Sequence, residues 1–339
     1  MSSPSTPLLQ TRDLRIELNS PRGRLAAVRG VDICLERGQT LGLMGESGCG
    51  KSLTALALMG LLPESASVQG SLRFQGQECL GQSEEFWCRL RGDRMAMVFQ
   101  EPMTALNPLH PIGDQVAEPM RLHRGLSRTA ARERTIDLLE RVGIHHARQR
   151  LDAYPHQFSG GQRQRIMIAM ALACDPELLI ADEPTTALDV TVAHHILSLI
   201  RELVAERGMG LILISHDLNV LAHQVQHLAV MYCGQVVESG PTHAVLKHPL
   251  HPYTRGLMAS RPQWQRIQGL QTAPTPRPRL HTIPGQVPEL HQLPLGCSFA
   301  PRCRHAEAIC GQAPDLLACT PQHRVRCWKP QGELDASIS

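Results

Sequence analysis

Four apolar residues, Leu41-Gly42-Leu43-Met44, run directly into Gly45-Glu46-Ser47-Gly48-Cys49-Gly50-Lys51-Ser52, and good helix formers fill residues 53–61. No other stretch constrains the fold as strongly. The octet matches G-x-x-x-x-G-K-[ST]. Its glycines let backbone N–H groups curl around phosphate oxygens, and the start of a following helix adds a favourable dipole. In such a loop Lys51 reaches the β- and γ-phosphates of a nucleotide and the Ser52 hydroxyl helps hold Mg²⁺. The loop by itself leaves kinases, GTPases and many ATPases open.

The surrounding pattern is layered. Short continuous apolar runs at residues 178–181 and 211–214 suit strands buried on both faces of a parallel sheet. Longer segments of helical spacing lie between them, residues 192–207 for example, as an α/β fold requires. Residues 101–173 read mostly helical. Residues 263–292 turn proline-rich, with Pro274, Pro276 and Pro278 in quick succession, and read as a linker.

At 339 residues, 42% of them hydrophobic, the chain can build a large core plus an appendage. Aromatics are only 3% and the formal charge only +3, so neither a base-stacking surface nor a phosphate-backbone stripe is expected. The longest apolar run, residues 166–174, is well short of the ~20 needed to span a bilayer. No secretion signal is read in residues 1–13. A cytoplasmic protein is expected, with any membrane role exerted through a partner.

Further along come Ser159-Gly160-Gly161-Gln162, led by Tyr154-Pro155-His156-Gln157-Phe158, and then Leu178-Leu179-Ile180-Ala181-Asp182-Glu183-Pro184. With the phosphate loop, this set resembles the ATP-binding cassette (ABC) family: the signature motif, then the Walker B strand with its catalytic glutamate. Gln100 is similar to the Q-loop glutamine, Ala187-Leu188-Asp189 to the D-loop, and His216 to the switch histidine. The resemblance narrows further on Phe99-Gln100-Glu101-Pro102-Met103-Thr104-Ala105-Leu106-Asn107-Pro108 and His251-Pro252-Tyr253-Thr254-Arg255. It narrows again on Ile283-Pro284-Gly285, Gly296-Cys297, Pro301-Arg302-Cys303, Cys310 and Cys327-Trp328. These segments resemble the ATPase subunits of dipeptide, oligopeptide and nickel importers.

The resemblance implies an α/β fold: a P-loop ABC ATPase core with a mixed, mainly parallel sheet, a helical subdomain and a C-terminal cysteine-containing extension. The expected division is an ATPase domain at residues 1–245 (helical subdomain about 101–173), a linker region at 246–292, a cysteine segment at 293–330 and a tail at 331–339. It implies ATP and Mg²⁺, with Glu183 as general base, His216 orienting the γ-phosphate, Lys51 on the phosphates, and Ser52, Gln100 and Asp182 holding Mg²⁺. Two subunits would face head to tail, Ser159, Gly160, Gly161 and Gln162 of each closing on the other's nucleotide. The partners implied are two transmembrane permease subunits, a second ATPase (a paralogue, otherwise self) and, indirectly, a substrate-binding protein. The chain would sit peripherally at the cytoplasmic face of the inner membrane.

A cassette acting on nucleic acid would carry a second cassette or basic inserts, and an exporter would lack the import-type C-terminus; both are disfavoured. The family often sets an aromatic ring against adenine ahead of the loop; here Leu18 takes that position, so adenine is expected to pack on aliphatic side chains such as Val28. The adjacent pairs His145-His146 and His194-His195, if on helices, point apart and are read as solvated.

Five of the eleven cysteines crowd into the end of the chain. Cys297, Cys303, Cys310 and Cys327 are spaced C-x₅-C-x₆-C-x₁₆-C, without the C-x₂-C knuckles typical of structural zinc sites, and Cys319 is spare. Four thiolates suit a [4Fe–4S] cluster, and the importer branch carries one there. Disulfides and zinc are the alternatives.

Overall fold

The computed structural model describes residues 6–21, 23–100, 105–185, 188, 190–260 and 282–331. Twelve strands are present among them: β1 (Leu9–Ser20), β2 (Gly23–Leu35), β3 (Thr40–Met44), β4 (Ala66–Phe74), β5 (Gln77–Glu78), β6 (Met95–Val98), β7 (Leu178–Asp182), β8 (Gly210–Ile214), β9 (His227–Tyr232), β10 (Gln235–Pro241), β11 (Leu317–Thr320) and β12 (His323–Val325). They form a four-stranded antiparallel sheet, β2-β1-β4-β5, and an eight-stranded sheet, β11-β12-β10-β9-β3-β8-β7-β6.

The second sheet is mixed. Strands β9, β3, β8, β7 and β6 run parallel, while β10 and then β12 add antiparallel to one side. Its central strands are apolar on both faces because both faces are covered. Leu178 and Ile180 of β7 pack toward the antiparallel sheet, in a core with Leu14, Ile16 and Phe74. Leu179 and Ala181, one residue out of phase, pack toward helices, in a core with Ile166, Ile168 and Ile200.

Between β6 and β7 the described residues contain helices and no strand: Ile112–Arg124, Arg128–Arg141, Ala147–Arg150 and Gly160–Ala171. Ser127 caps the second of these, its hydroxyl accepting from the Ala130 N–H at 3.2 Å. These helices fall within residues 101–173, of which residues 101–104 lie outside the described set.

The C-terminal part is more tightly joined to the core than a linker and appendage suggest. A helix, Pro252–Ala259, lies within residues 246–292, the expected linker region. Residues 274–278 lie outside the described set. Strand β12 pairs with β10, so residues 323–325 extend the eight-stranded sheet. Beneath that joint Glu238 is fully buried, and its carboxylate accepts from the Leu250 and His251 N–H groups at 2.7 and 2.9 Å and contacts His323 Nε2 at 2.8 Å.

Candidate nucleotide site

Strand β3 ends at Met44 and the helix Lys51–Leu58 begins seven residues later, so residues 45–50 must turn sharply. Two glycines make the turn possible. Gly45 has φ +154°, and a Cβ there would lie 2.2 Å from the Met231 carbonyl oxygen. Gly50 has φ +99°, and a Cβ there would lie 2.8 Å from the Ala27 carbonyl oxygen. The helix therefore starts with no side-chain cap, leaving first-turn N–H groups facing the loop.

Lys51 is 7% exposed, and its ammonium donates to the carbonyls of Gly45 at 2.7 Å and Glu46 at 3.0 Å. It is thereby drawn back across the loop. A cavity of about 370 Å³ opens in front, lined by Ser47, Gly48, Gly50, Lys51, Ser52, Leu53, Gln100, Glu183 and His216.

The acidic wall comes from the end of β7. Asp182 is 4% exposed, and burial pushes its carboxyl above the usual carboxylate range, with the Ser52 hydroxyl acting in the opposite sense. Its Oδ1 is buried with no hydrogen-bond partner. Glu183 takes the left-handed backbone conformation, φ +47°, while its N–H donates to the Ile214 carbonyl at 3.0 Å. Its carboxylate accepts from Gln100 Nε2 at 3.2 Å and meets His216 Nδ1 at 3.2 Å. Three residues far apart in sequence thus converge at the mouth of one cavity.

Ser159, Gly160, Gly161 and Gln162 do not line it. They form the start of the helix Gly160–Ala171, closed by a capping box: the Ser159 hydroxyl accepts from the Gln162 N–H at 3.3 Å and the Gln162 side chain accepts from the Ser159 N–H at 3.2 Å. A Cβ on Gly160 would meet nothing within 4 Å. Asp189 lies outside the described residues.

A second cavity, about 560 Å³, adjoins the first at Ser47 and Gly48. The expectation for Val28 is corrected here. It is 1% exposed and lies beneath the loop, because Gly50 packs over it, so it has no face to offer a base. Leu18 is half-buried and pairs across the β1–β2 hairpin with Leu25, and Leu25 is the one that lines the cavity. Of the histidine pairs, all four residues are exposed; His194 and His195 lie on the helix Val190–Arg207, whereas His146 has φ +56° and precedes a helix.

Sequence reasoning missed two contacts to the loop. The Glu46 N–H donates to the Tyr253 hydroxyl at 2.9 Å. Arg302, its side chain 5% exposed, holds the Glu46 carboxylate with two donors and also donates to the Pro284 carbonyl at 2.9 Å. Both residues stand in segments that marked the importer branch, and nothing in their spacing pointed at the loop.

Cys297, Cys303, Cys310 and Cys327 line one enclosed cavity with His251, Phe299 and Trp328. Burial pushes the Cys327 thiol up to about 11, reinforced by the facing Cys297, Cys303 and Cys310. Cys319, on β11, is not part of that lining. All eleven cysteines are free, and among the described residues no group of three or more His, Cys, Asp or Glu side chains is placed to hold a metal ion.

Residues 28–186 match the family described as ABC transporter, and residues 237–310 match the oligopeptide/dipeptide transporter C-terminal region. The oligopeptide transport ATP-binding protein OppD of Salmonella typhimurium is 45% identical over 98% of this chain and 96% of its own length. The chain belongs to the ATP-binding subunits of peptide ABC importers. As such an ABC ATPase it hydrolyses ATP to drive peptide import. A Brucella ovis protein, provisionally named a peptide import ATP-binding protein, is 47% identical over 95% of this chain and 96% of its own. Among solved structures, the dimeric post-hydrolysis state of the cassette MJ0796 bound to ADP and Pi superposes with a TM-score of 0.63, at 25% identity, over 69% of this chain and 98% of that one. No helix among the described residues is long and apolar enough to cross a membrane.

Proposed function

We propose that this importer ATPase cleaves ATP in the cavity between its phosphate loop and Glu183. The observation that carries the reading is the Glu183 carboxylate, held by Gln100 and His216 at the mouth of a cavity that Lys51 lines. The N–H groups of residues 45–52 and the Lys51 ammonium bind the phosphates. Ser52, Gln100 and Asp182 would hold Mg²⁺, which supplies positive charge against the phosphate oxygens; the partnerless, buried Asp182 Oδ1 fits that ligand role. Glu183 takes a proton from the attacking water, and His216 orients the γ-phosphate end. Positioning and charge stabilisation do most of the work in such a transfer.

The signature helix lies outside this cavity, with its N-terminus open beyond Gly160. A head-to-tail pair would bring it onto the nucleotide of a second ATPase, a paralogue or otherwise a second copy, where its N–H groups bind the γ-phosphate. The dimeric cassette among the solved structures supports this arrangement. Gln100 joins the β-core to the helical subdomain, and that joint passes motion to two transmembrane permease subunits at the cytoplasmic face of the inner membrane. A substrate-binding protein delivers the cargo; nucleic acid plays no part.

Within peptide import, oligopeptides are the cargo this reading favours over dipeptides. The test is ATP-driven uptake in vesicles carrying the chain with its permeases: accumulation of labelled oligopeptide is expected, and accumulation of dipeptide without oligopeptide would overturn the assignment.

The cysteine cavity supports a [4Fe–4S] cluster held by Cys297, Cys303, Cys310 and Cys327. Four thiolates are the donor set a cubane takes, and the four thiols line one shared cavity. Its role is structural or regulatory, and it would tie together a segment with few large apolar residues.

A further inference from the structure

We propose that residues 287–291 of the C-terminal extension form the nucleoside half of the ATP site, with Glu289 binding the ribose hydroxyls and His291 lying against the base. The proposal rests on the phosphate-loop reading above. Its starting point is the larger of the two adjoining cavities. It is lined by Ser20, Pro21 and Leu25 at the β1–β2 hairpin, by Ser47 and Gly48 of the phosphate loop, by Cys233, and by residues 287–291. Because Ser47 and Gly48 also line the phosphate cavity, a ligand whose phosphates occupy that cavity has this one as its continuation.

The lining chemistry suits a nucleoside. Pro21, Leu25, Val287, Pro288 and Leu290 present aliphatic surface, on which a flat heterocycle can be desolvated. His291 carries the only aromatic ring among the described residues of the lining, in a chain with no ring at Leu18. Its Nδ1 lies 3.2 Å from Glu289 Oε2, an arrangement that fixes the ring and leaves the other carboxylate oxygen to accept hydrogen bonds. A carboxylate is a fitting acceptor for vicinal hydroxyls, as dinucleotide sites show on a different fold.

The extension is also held in place for this task. Arg302 donates at once to the Glu46 carboxylate in the phosphate loop and to the Pro284 carbonyl, three residues before Val287. Arg29 donates to both the Cys233 carbonyl at 2.8 Å and the Ser298 hydroxyl at 2.6 Å, a second tie between the cavity's lining and the extension. The extension is therefore tied to the phosphate loop and to Cys233.

The test uses the full chain and calorimetric titration with ATP, 2′-deoxy-ATP, 3′-deoxy-ATP and inorganic tripolyphosphate. Tripolyphosphate carries the phosphates without the nucleoside, so its binding also reports that a variant is folded. Wild-type protein is expected to bind ATP more tightly than tripolyphosphate and than at least one deoxy analogue. Glu289→Ala is expected to lose about tenfold in ATP affinity, abolish the preference for ATP over that deoxy analogue, and leave tripolyphosphate unchanged. His291→Ala is expected to weaken ATP and both deoxy analogues alike. Unchanged ATP affinity in both variants, or equal losses for ATP and tripolyphosphate, would overturn the proposal. Wild-type protein binding tripolyphosphate as tightly as ATP would overturn it while leaving the phosphate-loop reading standing. Binding of neither ligand would remove both.

Discussion

Arg302 grips Glu46 through two nitrogen–oxygen contacts of 2.6 and 3.2 Å, across 256 residues of chain. The pair joins the C-terminal extension to the middle of the phosphate loop. The guanidinium is almost wholly buried and its pKa is raised, first by the hydrogen bonds to Glu46, so it stays charged at any working pH. A planar fork against a carboxylate also fixes orientation, which an ammonium would not.

Replacing Arg302 by Met removes that fork while keeping apolar bulk. A stability loss of about 2 kcal/mol is expected; a fully buried pair would lose more, but Glu46 is 29% exposed and can rehydrate. ATP affinity should fall with it, since the loop is no longer held from behind. Urea unfolding midpoints and calorimetric titration check both. An unchanged midpoint would mean the pair contributes nothing.

Lys51→Ala should largely abolish nucleotide binding, because it deletes the cation beneath the phosphates, while the fold stays intact by thermal melting. Near-normal ATP affinity would refute the loop assignment.

Glu183→Gln should keep ATP binding and slow turnover by roughly 10²- to 10⁴-fold, the range for losing a general base. Phosphate release under saturating ATP measures it. Glutamine retains the size and one acceptor oxygen, so the contact with Gln100 can survive; only the proton acceptor is lost. Unchanged turnover would place the base elsewhere.

The core and the ATP site were legible in the chain because they rest on local rules. Strand β7 reads as a buried strand from four consecutive apolar residues, and Asp182 and Glu183 follow at its end by necessity of chain order. Gly45 and Gly50 announce a turn that only glycine can make. The extension was not legible in the same way. Tyr253, Arg302 and Glu238 act through partners 207, 256 and 85 residues away, and no periodicity encodes such pairings. Val28 misled because a β-strand alternates sides: an aliphatic residue near the loop in sequence faces the core beneath it.

His251 sets a pH dependence of stability. Burial pushes its pKa down to about 4, against the pull of Glu238, while its Nδ1 caps the helix Pro252–Ala259 by accepting from the Tyr253 N–H. A depressed folded-state value means the unfolded chain binds the proton more readily. Stability is therefore full above pH 6.5 and falls as pH drops from there toward 4, by on the order of 3 kcal/mol from this group. Thermal melts across that window should show the loss. His251→Asn keeps a capping acceptor and should flatten the dependence.

Protein purified without oxygen should be brown and contain iron and sulfide, and Cys303→Ser should bleach it while ATP binding persists. Colourless anaerobic protein with stoichiometric zinc would replace the cluster assignment.

The pairing of β12 with β10 has a consequence for how the molecule is made. During synthesis the cassette emerges first, with β10 as an open sheet edge and Glu238 lacking the His251 and His323 groups that later surround it. An unpaired edge beside an unsatisfied carboxylate is a poor resting place for a nascent chain. The sheet is finished only when residues 323–325 arrive. Until residues 323–325 are made, this ATPase remains exposed to wrong strand partners, and its rescue is strand β12.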